Sequence, residues 1–187
     1  MPKLVDADQR REELAEAAAR VIARSGIDGA SLRGVAAEAG WTTGALVHYF
    51  ANKRELLAFT LQASLDRRRV ANADRAALPP EQALRSMLFD ALPTTDETTL
   101  HWIVTLAFAG QASSDAELAS IQRAAYRDFR AAVIELVSIC DRQIDAPCEA
   151  ERLIALVDGI ALQALFDPEL WTPARQIAAL ESGIVAR

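Results

Sequence analysis

Histidine and cysteine are scarce in this 187-residue chain, with two of each. Cys140 and Cys148 supply neither a disulfide framework nor the paired spacing of a zinc site. They read instead as small buried hydrophobes in a reducing cytoplasm. His48 and His101 are too few for a metal cluster, and no nucleophile motif, glycine-rich phosphate loop or paired-carboxylate signature occurs. Catalysis, metals and cofactors are therefore not expected. The start, MPKLVDADQRREEL, lacks the apolar core of a signal peptide. The longest uncharged run, residues 98–114, is interrupted by Thr, His, Gln and Ser and is too short for a membrane span. A soluble cytoplasmic protein without a membrane partner is the expectation.

Apolar residues make up 51% and charged residues 25%. A sizeable core can form, and disorder is disfavoured. Alanine, leucine and arginine abound while strand-like alternation is hard to find, which predicts an all-α fold. The most informative stretch is SLRGVAAEAGWTTGALVHYFANKRELL, residues 31–57. Ser31 caps a helix that buries Leu32, Val35, Ala36 and Ala39, and Gly40 ends it. Thr42 caps a second helix, residues 43–50, with Leu46 and Phe50 on its inner side. Thr43, Ala45, Val47, His48 and Tyr49 are left for the outer surfaces. Asn52 and Glu55 have capping-box spacing for the next helix. Short helix, glycine turn and second short helix make a helix-turn-helix, whose second helix can enter a DNA major groove.

Val35, Ala36, Ala39, Gly40, Thr42, Gly44, Leu46, Tyr49, Phe50, Lys53, Leu56 and Leu57 together resemble the DNA-binding head of TetR-family repressors. The resemblance implies a nine-helix fold, with a three-helix head at residues 1–52 and an effector-binding and dimerisation body at 53–187. It places Thr43, Gly44 and Ala45 nearest base edges. Ser31, Thr42, Tyr49 and Lys53 fall on the phosphate side with the starts of both short helices, and His48 is a further contact. Family members commonly carry tyrosine where this chain has Val47, so one hydroxyl-to-phosphate contact is missing there. The net charge of −6 fits this division. Residues 1–55 hold eight basic and eight acidic side chains, so the whole excess lies beyond them. An acidic body is held away from DNA while a neutral head makes local phosphate contacts.

In chain order, a first helix at residues 7–25 carries Leu14, Ala17, Ala18, Val21 and Ile22 at helical spacing, with Gly26 as its stop. A fourth helix runs from 53 to about 76, with Leu56, Leu57, Thr60, Leu61 and Leu65 on one side. The run Arg67-Arg68-Arg69 reads as a solvated face near its end, where cations are favoured. Pro80 opens a helix to about 92, and another covers 96–111. Ser114 to Glu117 has capping-box spacing and opens a long helix towards 144. Its inner stripe is Leu118, Ile121, Ala125, Phe129, Val133, Leu136 and Cys140. Pro147 starts a helix that ends at Phe166 before Asp167-Pro168. Pro173 starts the last, with Ile177, Leu180 and Ile184 on one side. Nine helices result.

The helix LIALVDGIALQALF, residues 153–166, is apolar nearly all round, and Gly159 in its middle implies a close backbone approach. Cover from a two-fold partner is the simplest reading. The surrounding segment resembles the C-terminal region of the choline-responsive betaine-pathway repressor group within the TetR family, implying a homodimer built from the last two helices. For an unknown small-molecule effector, His101, Thr105 and Phe108 share one face of an uncharged helix beside Trp102. Phe89, Tyr126, Phe129 and Trp171 are further candidates. The readings rank as a ligand-responsive homodimeric repressor on a palindromic operator, then a DNA-binding regulator governed by a protein partner, then an all-α carrier that no longer binds DNA.

Overall fold

A computed structural model of the chain describes residues 7–111 and 115–185, the side chains of 68–74, 76 and 185 excepted. Among these residues the fold is all-α, with nine helices and one 3-10 turn. The helices are α1 (Ala7–Gly29), α2 (Leu32–Glu38), α3 (Thr43–Val47), α4 (Lys53–Ala73), α5 (Pro80–Phe89), α6 (Asp96–Gln111), α7 (Ala116–Cys140), α8 (Ala146–Phe166) and α9 (Pro173–Val185). The 3-10 turn is Asp74–Ala77. Two compact units form, one from residues 7–67, 103–111 and 115–122, the other from 68–102 and 123–185.

In the first unit, Leu14, Ala18, Val21 and Ile22 of α1 are buried, as are Val35, Ala36, Leu46, Phe50, Leu56 and Leu61. Helix α1 packs on α2, and α2 on α3. Gly26 has φ 69° inside α1, a left-handed conformation that glycine adopts freely, and it kinks the helix there. The residues after it resume a helical turn rather than an open loop, and Ile27 points inward at 8% exposure. At the start of α4, Asn52 Oδ1 accepts from the Glu55 amide at 2.9 Å, and Glu55 Oε2 accepts from the Ala51 amide at 2.8 Å. This is the anticipated capping box, closed one residue further back. Val104, Phe108 and Leu118 are buried in the unit's later segments.

The second unit is built on Met87, Leu88, Leu92, Trp102, Val133, Val137, Leu153, Val157 and Leu180. Trp102 Nε1 donates to the Ala91 carbonyl at 2.7 Å, so its indole is buried without an orphaned donor. Arg75, 7% exposed, donates to Ser86 and Asp90 and ties the 3-10 turn to α5. Helices α8 and α9 pack on each other. At Gly183 an added Cβ would meet Leu156 Cδ2 at 2.2 Å, so a side chain there would have to displace the end of Leu156 on α8.

Several boundaries differ from the sequence expectation. Helix α5 stops at Phe89 because Asp90 caps it and the next residues fold back, burying Ala91 and Leu92. Asp115 caps α7, its carboxylate accepting from the amides of Glu117 and Leu118 at 3.0 and 3.3 Å. Ser114 lies outside the described residues. The same helix ends at Cys140, after which Asp141 accepts from the Gln143 amide and turns the chain. Ile177 is 39% exposed, and Gln176 lies on the inner side of α9 in its place, with Leu180 buried and Ile184 half-buried against the core as expected. Cys140 is half-buried, and Cys148, in the first turn of α8 behind its cap Asp145, is exposed rather than buried. Arg67 pairs with Glu16 at 3.7 Å, while the side chains of Arg68 and Arg69 lie outside the described set.

Candidate nucleic-acid interface

The turn between α2 and α3 is set by glycine and two hydroxyl caps. Ser31 Oγ accepts from the Gly34 amide at 3.0 Å, and Thr42 Oγ1 from the Ala45 amide at 3.1 Å. Each hydroxyl keeps its own proton to donate elsewhere. At the end of α2, the Gly40 amide bonds the Ala37 carbonyl at 3.1 Å and the Trp41 amide bonds the Ala36 carbonyl at 2.7 Å. That pair is a Schellman motif, and Gly40 adopts the φ of 73° it requires. The Trp41 ring then meets Tyr49 edge-on, with centroids 5.5 Å apart.

Helix α3 is shorter than its apolar spacing implied, covering Thr43–Val47 instead of residues 43–50. His48 caps it, and the Tyr49 and Phe50 amides both bond the Leu46 carbonyl, which closes the helix in a turn. Leu46 and Phe50 are fully buried and hold the element down. Thr43, Gly44, Val47 and His48 are exposed, and Ala45 and Tyr49 are half-exposed. The outward surface is thus small and largely uncharged. A Cβ on Gly44 would meet only Thr42 Oγ1, at 4.0 Å. Packing within the chain does not demand glycine there.

Charge in this unit is mostly neutralised in place. Arg10, Arg11, Arg20, Arg24, Arg54 and Arg67 each have a carboxylate within 4.0 Å. Hydrogen bonds from Arg20 and Arg24 hold the Glu38 carboxyl below its usual range. Among the described residues of this unit, Arg33 and Lys53 have no carboxylate partner within 4.0 Å. Lys53 Nζ donates once, to the Asp28 carbonyl at 3.2 Å, which leaves it two donors. Arg33 was missed in the sequence, because its isolation appears only when every neighbouring ion pair is placed.

Two family descriptions match this chain. Residues 14–58 match the bacterial regulatory proteins of the tetR family, and residues 80–187 match the C-terminal part of BetI-type transcriptional repressors. The chain belongs to the TetR family. The HTH-type transcriptional regulator PksA of Bacillus subtilis is 38% identical over 90% of this chain and 84% of its own length. The regulator BetI of Vibrio atlanticus is 32% identical over 90% of this chain and 86% of its own. Among solved structures, a transcriptional regulator from Rhodococcus sp. Rha1 superposes with a TM-score of 0.82 at 32% identity, covering 93% of both chains. One from Saccharomonospora viridis in complex with choline has a TM-score of 0.87 at 21% identity, covering 95% of this chain and 96% of that one. This TetR-family protein is therefore a DNA-binding transcriptional regulator, and its relatives are regulators rather than enzymes.

The body residues singled out for an effector fall in several places in this regulator. Trp102 belongs to the core of the second unit, and Phe89, Phe129 and Trp171 pack against that core half-buried. Tyr126 is 47% exposed and bonds Asp158 through its hydroxyl at 3.3 Å. His101 and Thr105 are half-buried, Phe108 is fully buried, and the Thr105 carbonyl accepts from Gln122 at 3.0 Å. No three His, Cys, Asp or Glu side chains of the described residues could hold a metal together. No helix among them is long and apolar enough to cross a membrane.

Proposed function

We propose that the protein is a homodimeric repressor that a small molecule releases from a palindromic operator. Residues 1–52 form the DNA-binding head and 53–187 the effector and dimerisation body. The observation that carries the DNA reading is the exposed surface of α3, fixed from behind by Leu46 and Phe50. Thr43 offers a hydroxyl to a base edge, and the Ala45 methyl suits a thymine methyl. Gly44, unconstrained by its own chain, lets the backbone come close to the groove. Ser31, Thr42, His48, Tyr49 and Lys53 contact phosphates, and Arg33 joins them as a second unpaired cation. Val47 presents only an apolar side chain at this surface.

Dimerisation rests on α8. Ala155, Gly159, Leu162 and Phe166 lie at i, i+4, i+7 and i+11, one stripe of the helix. Leu162 and Phe166 are 38% and 76% exposed, and a Cβ on Gly159 meets nothing within 4 Å. The close approach that Gly159 permits is therefore not to its own chain, and we assign it to the partner. Two subunits then place their α3 helices in successive major grooves, about 34–36 Å apart. An effector releases DNA only by preferring the non-binding conformation.

For the effector we retain Phe89, His101, Trp102, Thr105, Phe108, Tyr126, Phe129 and Trp171 as candidates. Alanine at Trp102 or Phe108 impairs release more than effector-free DNA binding if the residue contacts the effector. Equal loss of both, with a large fall in melting temperature, marks a core residue. At its low identity the choline-bound neighbour carries only the fold, and choline enters as a compound to test, not as an assigned effector. Selection of bound sequences from random DNA tests the whole reading. A palindrome with half-sites one helical turn apart is the expected result, and sequence-independent recovery overturns it.

A further inference from the structure

The backbone of Trp41 is fixed in the turn between α2 and α3, its amide bonding the Ala36 carbonyl at 2.7 Å. A Schellman turn uses an apolar contact from this position, which a leucine or valine can supply. Trp41 brings a whole indole, half-buried and outside the buried core. Two other side chains engage that ring. The Arg10 guanidinium of α1 lies over it, 5.2 Å from its centroid, and Arg10 Nη1 donates to Glu13 at 2.9 Å. The Tyr49 ring meets it at 72°, with centroids 5.5 Å apart. A line of contacts therefore runs from α1 through the turn to the chain beyond α3: Glu13, Arg10, Trp41, Tyr49.

Tyr49 is the member of that line that needs holding. Helix α3 ends at Val47, so Tyr49 stands on the closing turn. Its ring is half-exposed, and among the described residues its hydroxyl has no hydrogen-bond partner. The neighbouring Phe50 is fully buried and is held by the core. We propose that Trp41 is a positioning residue for DNA binding, which holds the Tyr49 ring so that its hydroxyl donates to a phosphate. Arg10 braces the indole from its face, and an edge-on pair is a favoured geometry for two rings. Ordering a side chain before binding, not during it, is worth about two- to tenfold in affinity. The proposal rests on the phosphate contact assigned to Tyr49 above and adds what sets that contact. Arg10 acts through the indole and not on DNA.

Titrations of the full-length chain against a duplex selected from random DNA, at several salt concentrations, test this. Tyr49→Phe is expected to weaken binding about tenfold, as loss of a hydrogen bond to a charged group does. Trp41→Leu is expected to weaken it about fivefold, within the range that ordering one side chain supplies, and Trp41→Phe to recover most of that loss. In a Tyr49→Phe background, Trp41→Leu is expected to cost nothing more, whereas a merely structural tryptophan gives the same loss in both backgrounds. The charge-neutral double change Arg10→Met with Glu13→Gln is expected to weaken binding with the salt slope unchanged. An arginine on a phosphate would instead lower the slope by about one unit per subunit. Melting curves check folding. If Trp41→Leu does not fold, the same cycle with Tyr49→Phe is run on the double change, whose two side chains are 33% and 41% exposed. Equal losses in both backgrounds, no recovery with phenylalanine, or a lowered slope overturns the proposal and leaves the Tyr49 contact standing. Unweakened binding by Tyr49→Phe itself removes that contact, and the proposal falls with it.

Discussion

Helices α3 and α8 each leave a face that the chain itself does not cover, and the two faces are chemically opposite. On α3 it is Thr43, Gly44, Val47 and His48, mostly small or polar side chains on a five-residue element. On α8 it is Ala155, Leu162 and Phe166, apolar side chains on a 21-residue element. A small polar face is stable in water and can wait for DNA. An apolar face costs about 25 cal/mol for each Å² left wet, which is the energetic ground for the partner proposed above. On the proposed dimer, the two helices differ in when they need their partners, α3 transiently and α8 continuously.

The largest expected effect breaks the α8 side of that contrast. Leu162→Glu together with Phe166→Glu should make the protein monomeric at micromolar concentration and weaken operator binding about 100-fold, since half-sites no longer share one molecule. Sedimentation and gel shift measure the two quantities, and a dimer that survives both charges sinks the assignment. Gly159→Leu sharpens it, because the added side chain begins in space empty of its own chain. It should weaken the dimer while leaving the fold intact. Gly183→Leu should do the reverse, destabilising the subunit by about 1–3 kcal/mol through overpacking against Leu156.

Those two glycines mark how far sequence reasoning reaches. Both stand inside helices, and nothing in the local pattern distinguishes a glycine facing open space from one pressed on a leucine. The caps were legible because each is a local event: Ser31, Thr42 and Asn52 with Glu55 act within four residues of themselves. Gly40 was legible for the same reason. The end of α3 was not, since Leu46 and Phe50 keep helical spacing even though the chain leaves the helix after Val47. Both are buried from a turn as well as they would be from a helix. Arg33 was invisible for a different reason: it depends on where six other arginines find carboxylates.

A middle-sized effect probes α3 and its flanking cations. Lys53→Ala and Arg33→Ala should each weaken all DNA sequences alike and lower the salt slope by about one unit per subunit. Thr43→Ala should instead relax preference at one position of each half-site, with a loss of about 1–3 kcal/mol confined to the favoured base. Val47→Tyr should tighten binding by restoring a hydroxyl near the phosphates. Titrations against the selected operator and a scrambled duplex, at several salt concentrations, separate the two behaviours. If Lys53→Ala and Arg33→Ala both leave the slope unchanged in a folded dimer, the outward face of α3 is not where DNA lies.

The smallest expected effect concerns the support beneath α3. Glu38, the last residue of α2, accepts from Arg20 Nε at 3.0 Å and from Arg24 at 3.2 Å, so it joins α2 to α1. Those hydrogen bonds lower its pKa. A carboxyl with a depressed folded-state pKa contributes stability that is present above its unfolded pKa. That contribution is lost as pH falls through the folded value, which lies below the ordinary glutamate range. Glu38→Gln should therefore lower the melting temperature slightly at pH 7, and the difference should close as the solution is acidified below that range. Added salt should shrink it at neutral pH, because the two guanidiniums are 48% and 65% exposed and well screened. A difference that stays constant from neutral to strongly acidic pH would mean that Glu38 acts through packing instead of charge. The α1–α2 clamp would then have no electrostatic part in holding the DNA-facing helix.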